Sequence, residues 1–386
     1  LHAVSTLGDR KKLVDRAWPS STFDIGDYDP KQIVAFEAEG FDASGKKVLR
    51  GATIFHSLWT LEGTQVPIFV GRTNEMSRPT GELGISRTDG VAAIVDGRFI
   101  VSLGGSNVRN LDGSAADPAT FAAYDMGEWV PSKVHETFPR TPRTLAIVQG
   151  RFGLAIDDAG ASWYDFATNS ASDVEPPVGV TFADLAGGQV IYGESETYVV
   201  GPTRDKSSST VLRIALDGAL SAIRLDAPRA GVAATYVGDR GLVIAGGHDT
   251  EPGAILLTSE ATSFAPLAFS PDPVQGAGAV DIGNGQVLLS GGRNGPVPAA
   301  TRILDLACTA HCEPSRLSES LDPVGVSFAW VRATSPDEVI VVGPQDTSKA
   351  TQVIRIHGLN TAPVMETLSL RKPRYGATPL KIFGRC

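Results

Sequence analysis

The sequence predicts an all-β chain assembled from repeated antiparallel units, and three observations carry the prediction. Its 386 residues include 42 Gly and 25 Pro, a density of turn formers that long helices would not tolerate, while 42% hydrophobic residues rule out wholesale disorder. Short apolar runs ending in glycine recur: "DGRFIVSLGGSN" at 96–107, "DRGLVIAGGHD" at 239–249 and "NGQVLLSGGRN" at 284–294. Each run is about six residues long, as expected of a strand buried on both faces, and a Gly pair closes it where the backbone must turn sharply or approach a neighbour. A longer match joins "PVGVTFADL" (177–185) to "PVGVSFAWV" (323–331), "YVVGP" (198–202) to "IVVGP" (340–344) and "STVLRI" (209–214) to "TQVIRI" (351–356). The offset falls from 146 to 142 after the first match, a four-residue loop difference.

Taking the residue that ends each run as an anchor gives Gly104, Asp157, Gly201, Gly246, Gly291 and Gly343, spaced by 53, 44, 45, 45 and 52 residues. A period of about 40–50 residues fits four-stranded propeller blades and is too long for leucine-rich or ankyrin repeats. Six blades are visible. A seventh is implied by "PRYGATPLKIF" (373–383), which repeats the start of "PRAGVAATY" (228–236) and then runs out of chain. The N-terminal segments "ATIFHSLWTL" (52–61) and "VPIFVG" (66–71) are expected to be strands that complete it, because ring closure removes exposed edges. Seven blades are therefore expected, with six as the alternative. Ahead of the ring, "IVAFEAEGFDASGKKVLRGAT" (33–53) alternates apolar and polar residues on either side of "DASGKK", a hairpin signature that resembles the last two strands of an immunoglobulin-like sandwich. The expected division is a β extension or partial immunoglobulin-like module at 1–60 and a propeller at 61–386.

The propeller segment resembles the kelch family. The first blade carries Arg87, the strand up to Gly104-Gly105, and "YDMGEW" at 124–129; "ILDLA" at 303–307 holds the corresponding place in the fifth. The resemblance covers about residues 80–386 and implies fold more than chemistry, since kelch propellers include binding modules, copper oxidases and isomerases. The second blade departs from the pattern with Asp157-Asp158 in place of the Gly pair, and the third and sixth use Gly-Pro. "DAGASW" (158–163) also resembles part of the Asp box of sialidase-like propellers, at the wrong position for it, and is read as a structural turn.

In an up-and-down blade the first strand starts on the face where the second and fourth strands end. That lead-in face should gather Arg87, Arg143 (or Arg140), Arg229, Gln275 and Arg374. It should also gather the residues after each anchor: Ser106 and Asn107, His248 and Asp249, Arg293 and Asn294, Gln345 and Asp346. Arg87 and Arg229 each stand 17 residues before their glycine anchor. A ring of guanidinium groups suits carboxylates or sugar hydroxyls. The structural alternative is that a lead-in Arg braces its blade through backbone carbonyls, as the kelch resemblance implies, that Asn107 and Asn294 serve turn geometry, and that His248 is a loop residue.

The formal charge of -9 and the absence of a basic cluster argue against nucleic acid as a partner. No apolar run approaches the roughly 18 residues needed to span a bilayer. Cys308 and Cys312 in "CTAHC" suit a disulfide formed in an export compartment; a metal site with His311 would lack a fourth ligand, and no cofactor is expected. A copper oxidase site of the kind found in kelch relatives needs two His and a Tyr cross-linked to Cys, which six scattered histidines do not assemble. Without a nucleophile elbow, zinc motif or phosphate loop, the expected function is binding of a glycan, peptide or protein by a secreted, periplasmic or surface protein, with any signal or lipid anchor upstream of Leu1. The alternatives are a propeller enzyme (hydrolase, lyase, isomerase or oxidase) using Asp249, Asp346 or His248 as base, and a purely structural scaffold.

Overall fold

A computed structural model describes the chain except at residues 6–8, 18–28, 62–63, 74, 76–80, 133–135, 203–206, 318–329, 336, 344–349, 369, 371–373, 375–379 and 381–386. The described residues contain strands, turns and two 3-10 segments, Leu58–Leu61 and Phe182–Asp184, and no α-helix. Six antiparallel sheets built on four strands follow one another along the chain, at residues 91–131, 144–174, 188–230, 233–266, 275–316 and 330–368. In each, the four strands lie side by side in chain order, and the fifth of these sheets adds a two-residue strand, Val297–Pro298. We refer to them as the first to sixth sheets.

The first strands of successive sheets lie against one another, from Val91–Val95 and Thr144–Val148 through Gly188–Tyr192, Ala233–Val237 and Gln275–Gly283 to Trp330–Ser335. Neighbouring sheets also share apolar cores. Leu242 and Ile244 face the third sheet with Tyr198, Val200 and Val211, while Val243 and Ala245 on the same strand face the fifth with Val287 and Leu289. A strand covered on both faces has no polar side to present, and for that reason the run "GLVIA" is continuously apolar. Sheets fanned about their first strands and stacked face to face form a β-propeller.

The Gly pairs occupy places that no other residue could take without displacement. Gly104 and Gly246 have φ of +69° and +77°, and a Cβ at either would lie 2.2 Å from the Pro142 carbonyl oxygen or 2.6 Å from that of Val274, both at the start of the next sheet. The second glycines, Gly105 and Gly247, approach in the same way the backbone just ahead of their own sheet's first strand, at Thr88 and Gly90 and at Ala230. The pair is thus the point where one sheet touches the next and folds back on itself. In the fifth sheet, by contrast, the strand Gln286–Asn294 runs through Gly291-Gly292 and turns into a short hairpin with Val297–Pro298. There the Gly pair does not end the strand, because Arg293 and Asn294 continue the pairing beyond it.

An Asp-capped turn, preceded by Tyr in the first and second sheets and by Leu304 in the fifth, recurs between third and fourth strands. Asp125, Asp165 and Asp305 each accept the amide two residues on, at 2.8–2.9 Å, and close the turn from the side chain. Asp157, in place of a glycine, accepts the amides of Ala159 and Gly160 at 2.9 Å, so "DAGASW" opens with a hairpin turn and continues as the strand Gly160–Asp165. Three outer strands are short or blunted: Val130–Pro131 and Ala265–Pro266 end in proline, and Ser170–Val174 is exposed and polar, whereas the outer strand of the third sheet, Leu220–Ala230, runs for 11 residues.

The N-terminal residues form one six-stranded antiparallel sheet. Its central hairpin, Ile33–Phe41 with Lys47–Ala52, is the one predicted; Asp42 accepts the amides of Ser44 and Lys46 at its turn. The expected strand at 52–61 is reduced to His56–Ser57, because the chain coils into the 3-10 turn at Leu58–Leu61. Phe69–Arg72 pairs with Lys47–Ala52 and so belongs to the same sheet, across the expected boundary at residue 60. This sheet packs Ile54 and Phe69 against Tyr124, Met126 and Trp129, on the face of the first sheet turned away from the second; the Phe69 and Trp129 rings are 5.3 Å apart. The expected seventh unit at 373–383 lies outside the described residues except for Arg374 and Leu380.

Candidate functional site

Two of the lead-in arginines are consumed by the backbone. Arg229 is 4% exposed and donates to the carbonyls of Gly246 at 2.9 Å and Pro252 at 2.6 Å. Arg87 donates to Gly104 at 3.0 Å, Thr120 at 2.8 Å and Pro118 at 3.4 Å. Each guanidinium thereby ties the end of its sheet's second strand to the segment leading into the third. Burial lowers both pKa values, that of Arg87 to about 10, and carbonyl oxygens rather than carboxylates hold the charge.

Arg140 stands 17 residues before Asp157 and is the second sheet's counterpart of these two. It reaches Ser162 Oγ at 2.6 Å, Asp157 at 3.4 Å and Asp173 at 3.0 Å, so three strands converge on it. Its 17-residue spacing was the available signal. Arg143 instead forms an exposed pair with Asp158, at 2.9 and 3.1 Å.

The loops after the anchors differ in character. His248 Nδ1 accepts the amides of Thr250 and Glu251 at 3.2 and 3.1 Å, which makes the ring a cap for its own turn. Its own amide donates to the Asp272 carbonyl in the segment leading to the fifth sheet, at 3.2 Å. Asp249 beside it is 81% exposed. Asn107 has φ of +51° and is exposed, with Nδ2 3.4 Å from Thr88 Oγ1, a turn role in keeping with the tolerance of Asn for that geometry. Arg293 and Asn294 are exposed on the hairpin of the fifth sheet, beside Val297. The side chain of Arg374 is exposed, and its carbonyl accepts the Thr351 amide at 2.7 Å. Gln345 and Asp346 lie outside the described residues.

The structure brings His248, Asp272 and Arg302 together at the boundary of the fourth and fifth sheets, where buried Arg302 donates to Asp272 Oδ2 at 2.5 Å. Nothing in the local sequence around Asp272 or Arg302 marks a pair 30 residues apart, and neither stood out as a candidate. Cys308 and Cys312 are joined as a disulfide, as the sequence predicted. Among the described residues no three His, Cys, Asp or Glu side chains converge as metal ligands, and no helix is long and apolar enough to cross a membrane.

No family model matches the chain, and no curated protein matches it. Similar solved structures, all β-propellers, include Hsv2 of Kluyveromyces lactis, at 8% identity over 86% of this chain and 96% of that one, with a TM-score of 0.44. A streptogramin B lyase follows at 12% identity over 77% of this chain and 86% of that one, with a TM-score of 0.45. TolB of Acinetobacter baumannii matches at 10% identity over 87% and 80% respectively, with a TM-score of 0.41. The propeller assignment here rests on strand order and shared cores.

Proposed function

We propose that the chain is an exported, kelch-type propeller that binds a glycan, peptide or protein through the loops of its lead-in face. In this reading a seventh blade, drawn from the N-terminal sheet and the segment around Arg374, closes the ring; the stacking of Ile54 and Phe69 on the first sheet supports that closure. The disulfide supports export, because such bonds persist in oxidising compartments. The recurring Gly pairs, Asp-capped turns and bracing arginines support the kelch assignment.

The observation that carries the binding reading is the division among the arginines. Arg87 and Arg229 are committed to carbonyls and Arg143 to Asp158, whereas Arg293 and Arg374 are exposed, as are Asp249 and Asn294. Recognition therefore falls to the second set. Acidic glycans and carboxylate-bearing peptides are the ligand chemistry it fits, through paired N–H donors. In a binding screen against such ligands, Arg293→Ala and Arg374→Ala should each weaken the best binder about tenfold with little change in melting temperature, the loss expected of one charge-assisted hydrogen bond. Unchanged affinity in both variants would remove the site. The structural-scaffold reading is favoured by the same carbonyl bonds of Arg87 and Arg229, and it expects no saturable ligand in that screen.

A further inference from the structure

We propose that the Cys308–Cys312 disulfide is a redox-sensitive latch that sets the mobility of the His248 loop. Only the statement that this loop lies on a binding face rests on the function proposed above. The bond closes a ring of five residues, 308–312, at the outer end of the fifth sheet. Cys312 is 1% exposed and packs with Ala245, Phe269 and Leu306 in the core shared by the fourth and fifth sheets. Its amide donates to the Ala268 carbonyl at 2.9 Å, it forms a parallel bridge with Phe269, and the next residue, Glu313, accepts from Ser270 Oγ at 2.6 Å. The disulfide ring thus holds the last segment of the fourth sheet from outside.

The connection continues inward. The Phe269 carbonyl accepts the Gly253 amide at 3.1 Å, and the Gly253 carbonyl accepts the Gly246 amide at 2.9 Å, so both ends of the loop carrying His248 and Asp249 are fastened through it. Asp272, three residues beyond Phe269, holds the His248 amide. A second observation concerns the ring itself: His311 has φ of +49°, in the left-handed region, within the ring that the bond closes. In this proposal, opening the ring frees His311 to leave that conformation and withdraws the Cys312 amide from Ala268.

The chemistry is thiol–disulfide exchange with an external dithiol. Its thiolate attacks Cys308 Sγ, the less buried sulfur, forming a mixed disulfide and expelling Cys312 as a thiolate that takes up a proton. The second thiol of the reagent then attacks its own sulfur in the mixed disulfide. Cys308 leaves as a thiol, and the reagent departs oxidised by two electrons as a cyclic disulfide.

Hydrogen exchange on the intact chain, in a Cys386→Ala background with and without dithiothreitol, tests the proposal without any ligand. After reduction, exchange at Cys312, Gly253 and His248 should quicken at least tenfold, while amides of the second and third sheets keep their rates. Cys308→Ala should show the fast pattern without reductant and no response to it. His311→Gly should slow exchange at Cys312 in the oxidised chain. Equal rates in both redox states, a bond that resists reduction in the native chain, or unfolding of all sheets together on reduction would each overturn the latch. Arg293→Ala bears on the binding face alone, so a change in ligand affinity there leaves the redox dependence of exchange as the sole measure of the latch.

Discussion

At the residue scale, the division between structural and exposed arginines sets the clearest expectations. Arg229→Ala would leave the carbonyls of Gly246 and Pro252 buried without a donor, a loss of about 2–4 kcal/mol in denaturant unfolding. Arg229→Lys should recover little of it, since a single ammonium cannot span two carbonyls from a fixed fork. Their 17-residue spacing from the glycine anchor was visible in the sequence, and so was the alternative that such residues brace backbone. What decides between bracing and binding is burial, which depends on loops 31–33 residues downstream of Arg87. His56 offers a test in pH. It sits in the N-terminal sheet with Nε2 buried and without a hydrogen-bond partner, and burial, followed by the charge of Arg98 in the first sheet, lowers its pKa. Arg98 is itself paired with Asp125 and lies 3.7 Å from Glu128. The unfolded chain therefore takes up a proton near pH 6.5 that the folded chain refuses, so stability falls as pH drops through that value. His56→Gln should flatten the decline in melting temperature between about pH 7 and pH 5; an unaltered slope would mean that His56 is not its source.

At the scale of the strand and its turns, the glycines separate two kinds of requirement. Gly246→Ala combines left-handed geometry, about 1–2 kcal/mol by itself, with a Cβ 2.6 Å from a backbone oxygen that cannot move without its sheet. Gly45 has a similar φ of +80° but open space around it, so Gly45→Ala should cost only the conformational part. A urea titration comparing the two should show the larger loss at Gly246. Strands and their anchors were legible because a run buried on both faces must be apolar throughout, and because at Gly104 and Gly246 the backbone of the next sheet leaves no room for a Cβ. The six-stranded N-terminal sheet was less so. His56–Ser57 and Phe69–Arg72 read as candidates for ring closure, but strand partners are chosen by register with distant segments, which alternation alone does not specify. The matched pairs Glu196 with Arg213 and Glu338 with Arg355 illustrate the same limit: both sit at the 142-residue offset already apparent from neighbouring motifs, yet their contact emerged only once adjacent strands were paired.

For the whole molecule, stability is distributed through seams shared by neighbours. The seam between the N-terminal sheet and the first sheet should carry load of this kind. Ile54→Ala or Phe69→Ala should quicken hydrogen exchange along Phe99–Leu103 while the fourth and fifth sheets keep their protection; unchanged exchange there would show that the N-terminal sheet is independently docked. The repeat of four-stranded sheets was readable from period alone, but which loop residues remain exposed depends on contacts between sheets that no single repeat encodes. The rim has a further consequence. Three of its outermost strands are capped by Pro131 and Pro266 or, at Ser170–Val174, kept polar and exposed, so an incoming peptide finds few free amides there with which to extend a sheet. Along those three edges, crowded copies of the molecule can slide past one another side by side without knitting together, as smooth rims do.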